Sequence, residues 1–266
     1  MDIKTLFGVD KPVIGMVHFL PMPTDPKYDN SVGLKPVIER ARREVLSLQN
    51  GGIDGILFCN EYSIPYVENV RTVTVACMAR IIGELLCEIK VPFGVDVALD
   101  PFKVFDLASA TGADFVRETL SGAYSGNYGL QSIPQGEVER HRYDVGCGNV
   151  LTFTTLMHEG VSPLVNRPVE EVAKSIEFAI HPSAFMVYSV TSGSEIDLSY
   201  IKKAKEVTDV PLFASNGVKA ETIASILEVA DGCIVGTSIK RDGIFDNEID
   251  ESRVRNLMKK ARCIKI

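Results

Sequence analysis

A single (β/α)8 TIM barrel is the architecture this sequence predicts, on three observations. Short apolar runs alternate with longer amphipathic stretches eight times along 266 residues. The runs are apolar throughout, as strands of a parallel sheet covered on both faces require. A short step ending in aspartate recurs where helix meets strand, at Asp54, Asp114 and Asp231, spaced 60 and 117 residues apart. Those spacings approximate two and four βα units of roughly 30 residues. Eight such units in about 250 residues favour a closed barrel over an open doubly wound sheet.

Each element follows in order. The first strand, 13–19, is β-rich, and apolar residues at 34, 37, 38, 41, 45 and 48 then keep helical spacing over 34–50. Gly51-Gly52 stops that helix, and the second strand occupies 55–59. A helix over 73–89 precedes a strand over 93–99, and a helix over 101–111 precedes a strand over 115–120. Helices at 137–145, 168–180, 198–207 and 220–229 precede strands at 150–157, 184–190, 211–215 and 232–239, and a helix over 252–261 closes the chain. The aspartate steps read as tight turns that stabilise the end of the barrel opposite the site. The one long connection, 121–136, carries two tyrosines among glycines, which favours a lid folding over a ligand.

Composition narrows the function. Apolar residues make up 45% and charged residues 24%, which excludes disorder as the main description. A net charge of −7 without a basic stripe argues against a nucleic-acid partner. Lys259-Lys260-Ala261-Arg262 reads as a solvated helix end. Apolar runs are too short to span a membrane, and Met1-Asp2-Ile3-Lys4 does not resemble a secretion signal. Six cysteines without a C-x-x-C pair read as reduced residues of a cytoplasmic protein. A homo-oligomer stays open.

In a barrel of this kind the site forms where each strand meets its following loop. Ala214-Ser215-Asn216-Gly217-Val218 and Val235-Gly236-Thr237-Ser238 follow the last two strands, and small residues there let backbone N–H groups approach an anion. Gly217, Val218, Gly236, Thr237 and Ser238 are therefore the expected phosphate cradle. Asp100, Glu118 and His158 are the candidate acid/base groups, and Arg117 would orient an oxyanion or pair with Glu118. His18, Asn60, Glu61, Ser192, Ser215 and Asn216 would contact the rest of the substrate. Taken alone, His18 reads equally well as a satisfied core histidine, and Asp100 before Pro101 as a helix N-cap. Oxygen-rich strand ends would suit Mg2+ or Mn2+. The eight strands hold no lysine short of Lys240 for a Schiff base, and no H-E-x-x-H, Walker loop, G-x-S-x-G elbow or GxGxxG is present.

Residues 13–23, beginning Val13-Ile14-Gly15-Met16-Val17-His18, resemble the N-terminal signature of the BtpA family of barrel proteins. The likeness continues through Gly51-Gly52-Ile53-Asp54-Gly55, Ala230-Asp231-Gly232, residues 235–240, Asp242-Gly243, Asp250 and Arg253-Val254. Asn60-Glu61 with Pro65-Tyr66, Asp100-Pro101, Arg117-Glu118, and Phe213-Ala214 before Asn216-Gly217-Val218 are similar to the SgcQ-like branch. The photosystem-type branch has Glu-Asn, Asn-Asp and Gly-Ser-Gly where this chain has Cys59-Asn60, Leu99-Asp100 and Ser215-Asn216-Gly217. Its strand-five Asp is replaced by Thr154 or Thr155, and its Lys-His keeps only His158. The resemblance implies the (β/α)8 fold and, for this branch, an association with sugar uptake and sugar-phosphate metabolism.

The leading expectation is an enzyme acting on a small phosphorylated sugar or sugar derivative. Its rivals are a non-catalytic assembly factor of the photosystem I-related type and a phosphosugar-binding sensor.

Overall fold

The computed structural model describes residues 2–189 and 196–263. Its strands are β1 (Val13–His18), β2 (Gly55–Cys59), β3 (Phe93–Asp96), β4 (Phe115–Glu118), β5 (Ala123–Gly126), β6 (Gly129–Ser132), β7 (Leu151–Met157), β8 (Val161–Pro163), β9 (Ala184–Val187), β10 (Leu212–Ala214) and β11 (Gly232–Val235). Its helices are α1 (Ile3–Phe7), α2 (Lys35–Asn50), α3 (Thr72–Leu85), α4 (Lys103–Thr111), α5 (Gln135–Asp144), α6 (Val169–Ile180), α7 (Leu198–Lys205), α8 (Ile223–Val229) and α9 (Glu251–Ala261). Strands β1, β2, β3, β4, β7, β9, β10 and β11 close in that order into a barrel of parallel pairs. The (β/α)8 TIM-barrel fold is therefore the fold of this chain.

Alternation along each strand divides the core into two layers. Ile14, Met16, Leu57, Phe115, Phe153, Met186, Phe213 and Ile234 fill the barrel interior. Their neighbours Val13, Val17, Ile56, Phe58, Val95, Val116, Phe185, Leu212 and Cys233 pack outward with the helix faces. Each large apolar side chain buried this way is worth about 1.5–3 kcal/mol. Helix α1, which the periodicity did not predict, adds Ile3 and Phe7 to the interior cluster, with the Phe7 ring 5.7 Å from Phe115.

The aspartate steps act as latches at the N-terminal end of the barrel. Asp54 donates its backbone N–H to Val13 O and accepts Val13 N–H on its carboxylate at 2.8 Å. Asp114 makes the same reciprocal pair with Phe93, and Asp231 with Leu212. Ser183 does so with Thr152, its hydroxyl replacing the carboxylate.

Three boundaries differ from expectation. β3 ends at Asp96, and the chain turns through Leu99, which sits at φ 67. β11 ends at Val235 and passes into a short 3-10 turn at Thr237–Ile239. The 121–136 connection contains the antiparallel hairpin β5–β6, and β8 adds to its other side. That hairpin is too short and glycine-rich to show a period in sequence, and its pairing with β8 is long-range.

Candidate functional site

The C-terminal strand ends surround a cavity of about 520 Å³. It brings together His18, Glu61, Arg117, Ser215, Asn216, Gly217, Val218, Gly236, Thr237 and Ser238, all expected from sequence. It also takes in Glu159, Tyr188, Lys219, Phe245 and Arg253. Asp100 and Glu118 line a separate cavity with no residue in common. Asn60 and His158 line neither, and Ser192 lies outside the described residues.

Strand alternation explains the split. Arg117 follows Phe115 in facing the barrel interior, while Glu118 follows Val116 in facing the other way. The same parity turns Asp96 inward from β3, beside Arg117. Arg117 Nε donates to Asp96 Oδ2 at 2.6 Å, and Arg117 Nη2 shares that oxygen. Both residues are buried. Burial opposes the guanidinium's charge, but Asp96 first, together with Tyr188, Cys59 and Glu61, outweighs it and holds Arg117 well above its ordinary pKa. Sequence reasoning missed Asp96, whose signal was a lone acid at an inward position of an otherwise apolar run. Tyr188 was missed too. It continues the inward parity of Met186 beyond β9, and burial pushes its phenol up to about 12.

His18 ends β1 almost fully buried, and among the described residues neither ring nitrogen has a hydrogen-bond partner. Burial, then the charges of Lys240 and Arg117, hold its pKa well below the usual value, so the ring is neutral at pH 7. The Phe245 ring lies 5.4 Å away on one side. On another side Gly236 lets the backbone pass close to the ring, since a Cβ there would fall 3.1 Å from His18 Cε1. Ser215 Oγ is buried beside the Tyr188 hydroxyl.

The two loops of the expected cradle are tied together. Ser238 Oγ donates to Val218 O at 2.6 Å, so that hydroxyl is already committed. Arg253, at the start of α9, donates from Nε to Ser238 O at 3.0 Å. Gly217 adopts φ 67, which favours glycine. Within the described residues, the backbone N–H groups of Gly217, Val218 and Gly236 find no acceptor.

The remaining candidates are held by neighbours. Asn216 accepts from Ser189 N at 2.6 Å and donates to Glu159 Oε2 at 2.7 Å, which fixes Glu159 at the mouth. Glu61 accepts from the Cys59 thiol at 3.3 Å and from Tyr66 OH at 3.0 Å. Asn60 Oδ1 accepts from Ala98 N and braces the turn after β3. Asp100 accepts from the N–H groups of Val70, Phe102 and Lys103, so its carboxylate ties together the turn that leads into α4. His158 contacts Thr119 Oγ1 at 3.3 Å and packs 4.0 Å from the Tyr124 ring, and burial lowers its pKa to about 4.

A sequence profile described as the BtpA family matches residues 9–263. The chain belongs to the BtpA family. Among relatives, the sgc region protein SgcQ of Escherichia coli (strain K12) is 42% identical over 264 residues, which are 99% of this chain and 98% of that one. The photosystem I biogenesis protein BtpA of Synechocystis sp. is 28% identical over 261 residues, covering 96% and 89%. Among solved structures, a chain of tryptophan synthase from M. tuberculosis matches with a TM-score of 0.65 at 14% identity over 97% of each chain. Thiamine phosphate pyrophosphorylase from Pyrococcus furiosus matches with a TM-score of 0.56 at 16% identity, covering 95% and 96%. At such identities the likeness shows a shared fold alone.

Among the described residues, no three His, Cys, Asp or Glu side chains converge as ligands, because Asp100 and Glu118 are separated from Glu61 and Glu159. Among the same residues, no helix is long and apolar enough to cross a membrane.

Proposed function

We propose that this BtpA-family barrel is an enzyme acting on a small phosphorylated sugar or sugar derivative bound in the main cavity. The observation that carries the reading is the pair of loops after β10 and β11. They line the cavity that holds His18 with Gly217, Val218 and Gly236, whose backbone N–H groups have no acceptor among the described residues, and Lys219 and Arg253 line it beside them. Backbone donors flanked by cations suit a phosphate dianion. The pyrophosphorylase that shares the fold is named for a phosphate compound, thiamine phosphate, which agrees with that chemistry.

His18 is the group we assign to proton transfer. A neutral imidazole with both nitrogens unpartnered can accept a proton on one and donate from the other. Arg117, held charged by Asp96, would face the oxyanion that forms as a sugar carbon or hydroxyl loses its proton. Tyr188 and Ser215 would contact hydroxyls. Isomerisation, epimerisation and retro-aldol cleavage all use this proton transfer.

A thermal-shift screen tests the reading. Ribose 5-phosphate and glucose 6-phosphate should raise the midpoint by a few degrees near 100 times their Kd, while the unphosphorylated sugars should not. Gly236→Asp places a carboxylate against His18 and the cradle, and Arg253→Ala removes a cation without crowding the ring. Both should abolish or strongly weaken phosphosugar binding. Equal binding of free sugars, or unchanged binding in both variants, would remove the phosphate assignment.

A second reading has its own support. Leu130, Leu164 and Val165 are exposed on and beside the small sheet, and one relative is named as a photosystem I biogenesis protein. An assembly factor would need that face for a protein partner. Leu130→Lys with Val165→Lys would then abolish partner capture while leaving phosphosugar binding intact.

A further inference from the structure

Arg117 and Glu118 leave β4 on opposite faces, and each opens on a different cavity. The one beside Glu118 has a volume of about 270 Å³ and lies between the turn after β3 and strand β6. Its ionisable lining residues are Glu68, Asp100 and Glu118, with no Lys, Arg or His among them. Asp100 is saturated by three backbone N–H groups. Glu118 is not. It is 7% exposed, and among the described residues its Oε1 accepts only from Thr119 N and its buried Oε2 has no partner. Strand β6 lines the same cavity with Gln131, 6% exposed, whose side-chain amide makes no hydrogen bond among the described residues.

A carboxyl group removed from water without a donor is costly, and here burial and the nearby Asp96 charge both favour its protonated form. An anion would meet three carboxyl groups, and a neutral polyol would supply donors but no countercharge. An ammonium group supplies both. We propose that this cavity is a second ligand site, taking a small molecule with a protonated primary amine, such as an amino sugar or amino alcohol. Its nitrogen donates to Glu118 Oε2 and to the amide oxygen of Gln131. The site is independent of the phosphate cradle.

Glucosamine and ethanolamine are suitable probes, with glucose and ethylene glycol as their neutral counterparts and glucose 6-phosphate as the main-cavity control. Calorimetric titration of the full chain should show both amines binding at least tenfold more tightly than their counterparts. Glu118→Gln should weaken them at least tenfold, while Gly236→Asp should leave them unchanged. Should Glu118→Gln fail to fold, Gln131→Leu provides the same test from a second residue that lines the cavity. The proposal is overturned by equal binding of glucose and glucosamine, by amine binding that survives both substitutions, by competition between glucosamine and glucose 6-phosphate, or by no amine binding at all.

Discussion

Asp96 and Arg117 form a buried ion pair across two neighbouring barrel strands, with Nε 2.6 Å from Oδ2. The carboxylate neutralises a guanidinium that would otherwise stand alone beneath the main cavity. Asp96→Asn keeps the shape and removes the charge, so it should cost about 3–5 kcal/mol, the usual result of stranding one member of a buried pair. A double variant, Asp96→Leu with Arg117→Met, should recover most of that loss. Urea unfolding of the three proteins checks this, and an Asp96→Asn variant within about 1 kcal/mol of wild type would count against the pair's role.

Acid should destabilise the protein in a traceable way. His158 titrates near 4 when folded and His18 lies well below its ordinary value, both chiefly through burial. From about pH 6.5 down to about 4 the unfolded chain therefore binds more protons than the folded one. Stability falls as pH drops, by about 1.4 kcal/mol per pH unit for each histidine held neutral. His158→Phe keeps the packing against Tyr124 and should reduce that slope by about one proton's worth. Unfolding midpoints at pH 7, 6 and 5 measure the difference.

Lys240 gives the opposite end of the pH scale. It is fully buried, donates from Nζ to Phe245 O at 2.7 Å, and is lowered to about 8 by burial. The unfolded chain binds the extra proton between about pH 8 and 10.4, so this group makes the protein more stable as pH rises through that window. Lys240→Met removes the buried charge and leaves Tyr62 OH still donating to Phe245 O at 2.7 Å. It should be at least as stable as wild type at pH 7 and lose the alkaline rise. A loss above about 2 kcal/mol at pH 7 would contradict this.

The latches at the far end should affect stability alone. Asp114→Ala removes the 3.0 Å bond from Phe93 N and strands that N–H at the strand start. A cost of about 1–3 kcal/mol follows, seen as a lowered melting midpoint. Phosphosugar affinity should not change, because the latch and the cradle lie at opposite ends of the barrel.

Much of this protein was legible in the sequence. Eight apolar runs separated by helical spacing call for a parallel sheet covered by helices on both faces, and their number within about 250 residues favours closing it into a barrel. The loops after β10 and β11, which we propose as the cradle, stood out because small residues after the last two strands are a local signal. The latches were visible because each aspartate sits one residue before its strand. Even Asp96 was within reach of the two-residue parity that places Phe115 and Arg117 inward.

Tertiary structure decided the rest, because it depends on which strands become neighbours and which side chains find partners. Asp100 and Glu118 stand at neighbouring strand ends, yet one is saturated by backbone N–H groups and the other left without a donor. His18, ambiguous in sequence, is packed against Gly236 and Phe245 and finds no hydrogen-bond partner for its nitrogens among the described residues. The 121–136 segment pairs with β8 through hydrogen bonds between residues far apart in sequence. Sequence periodicity records where a residue's own backbone places it, and only the closed barrel determines what stands opposite.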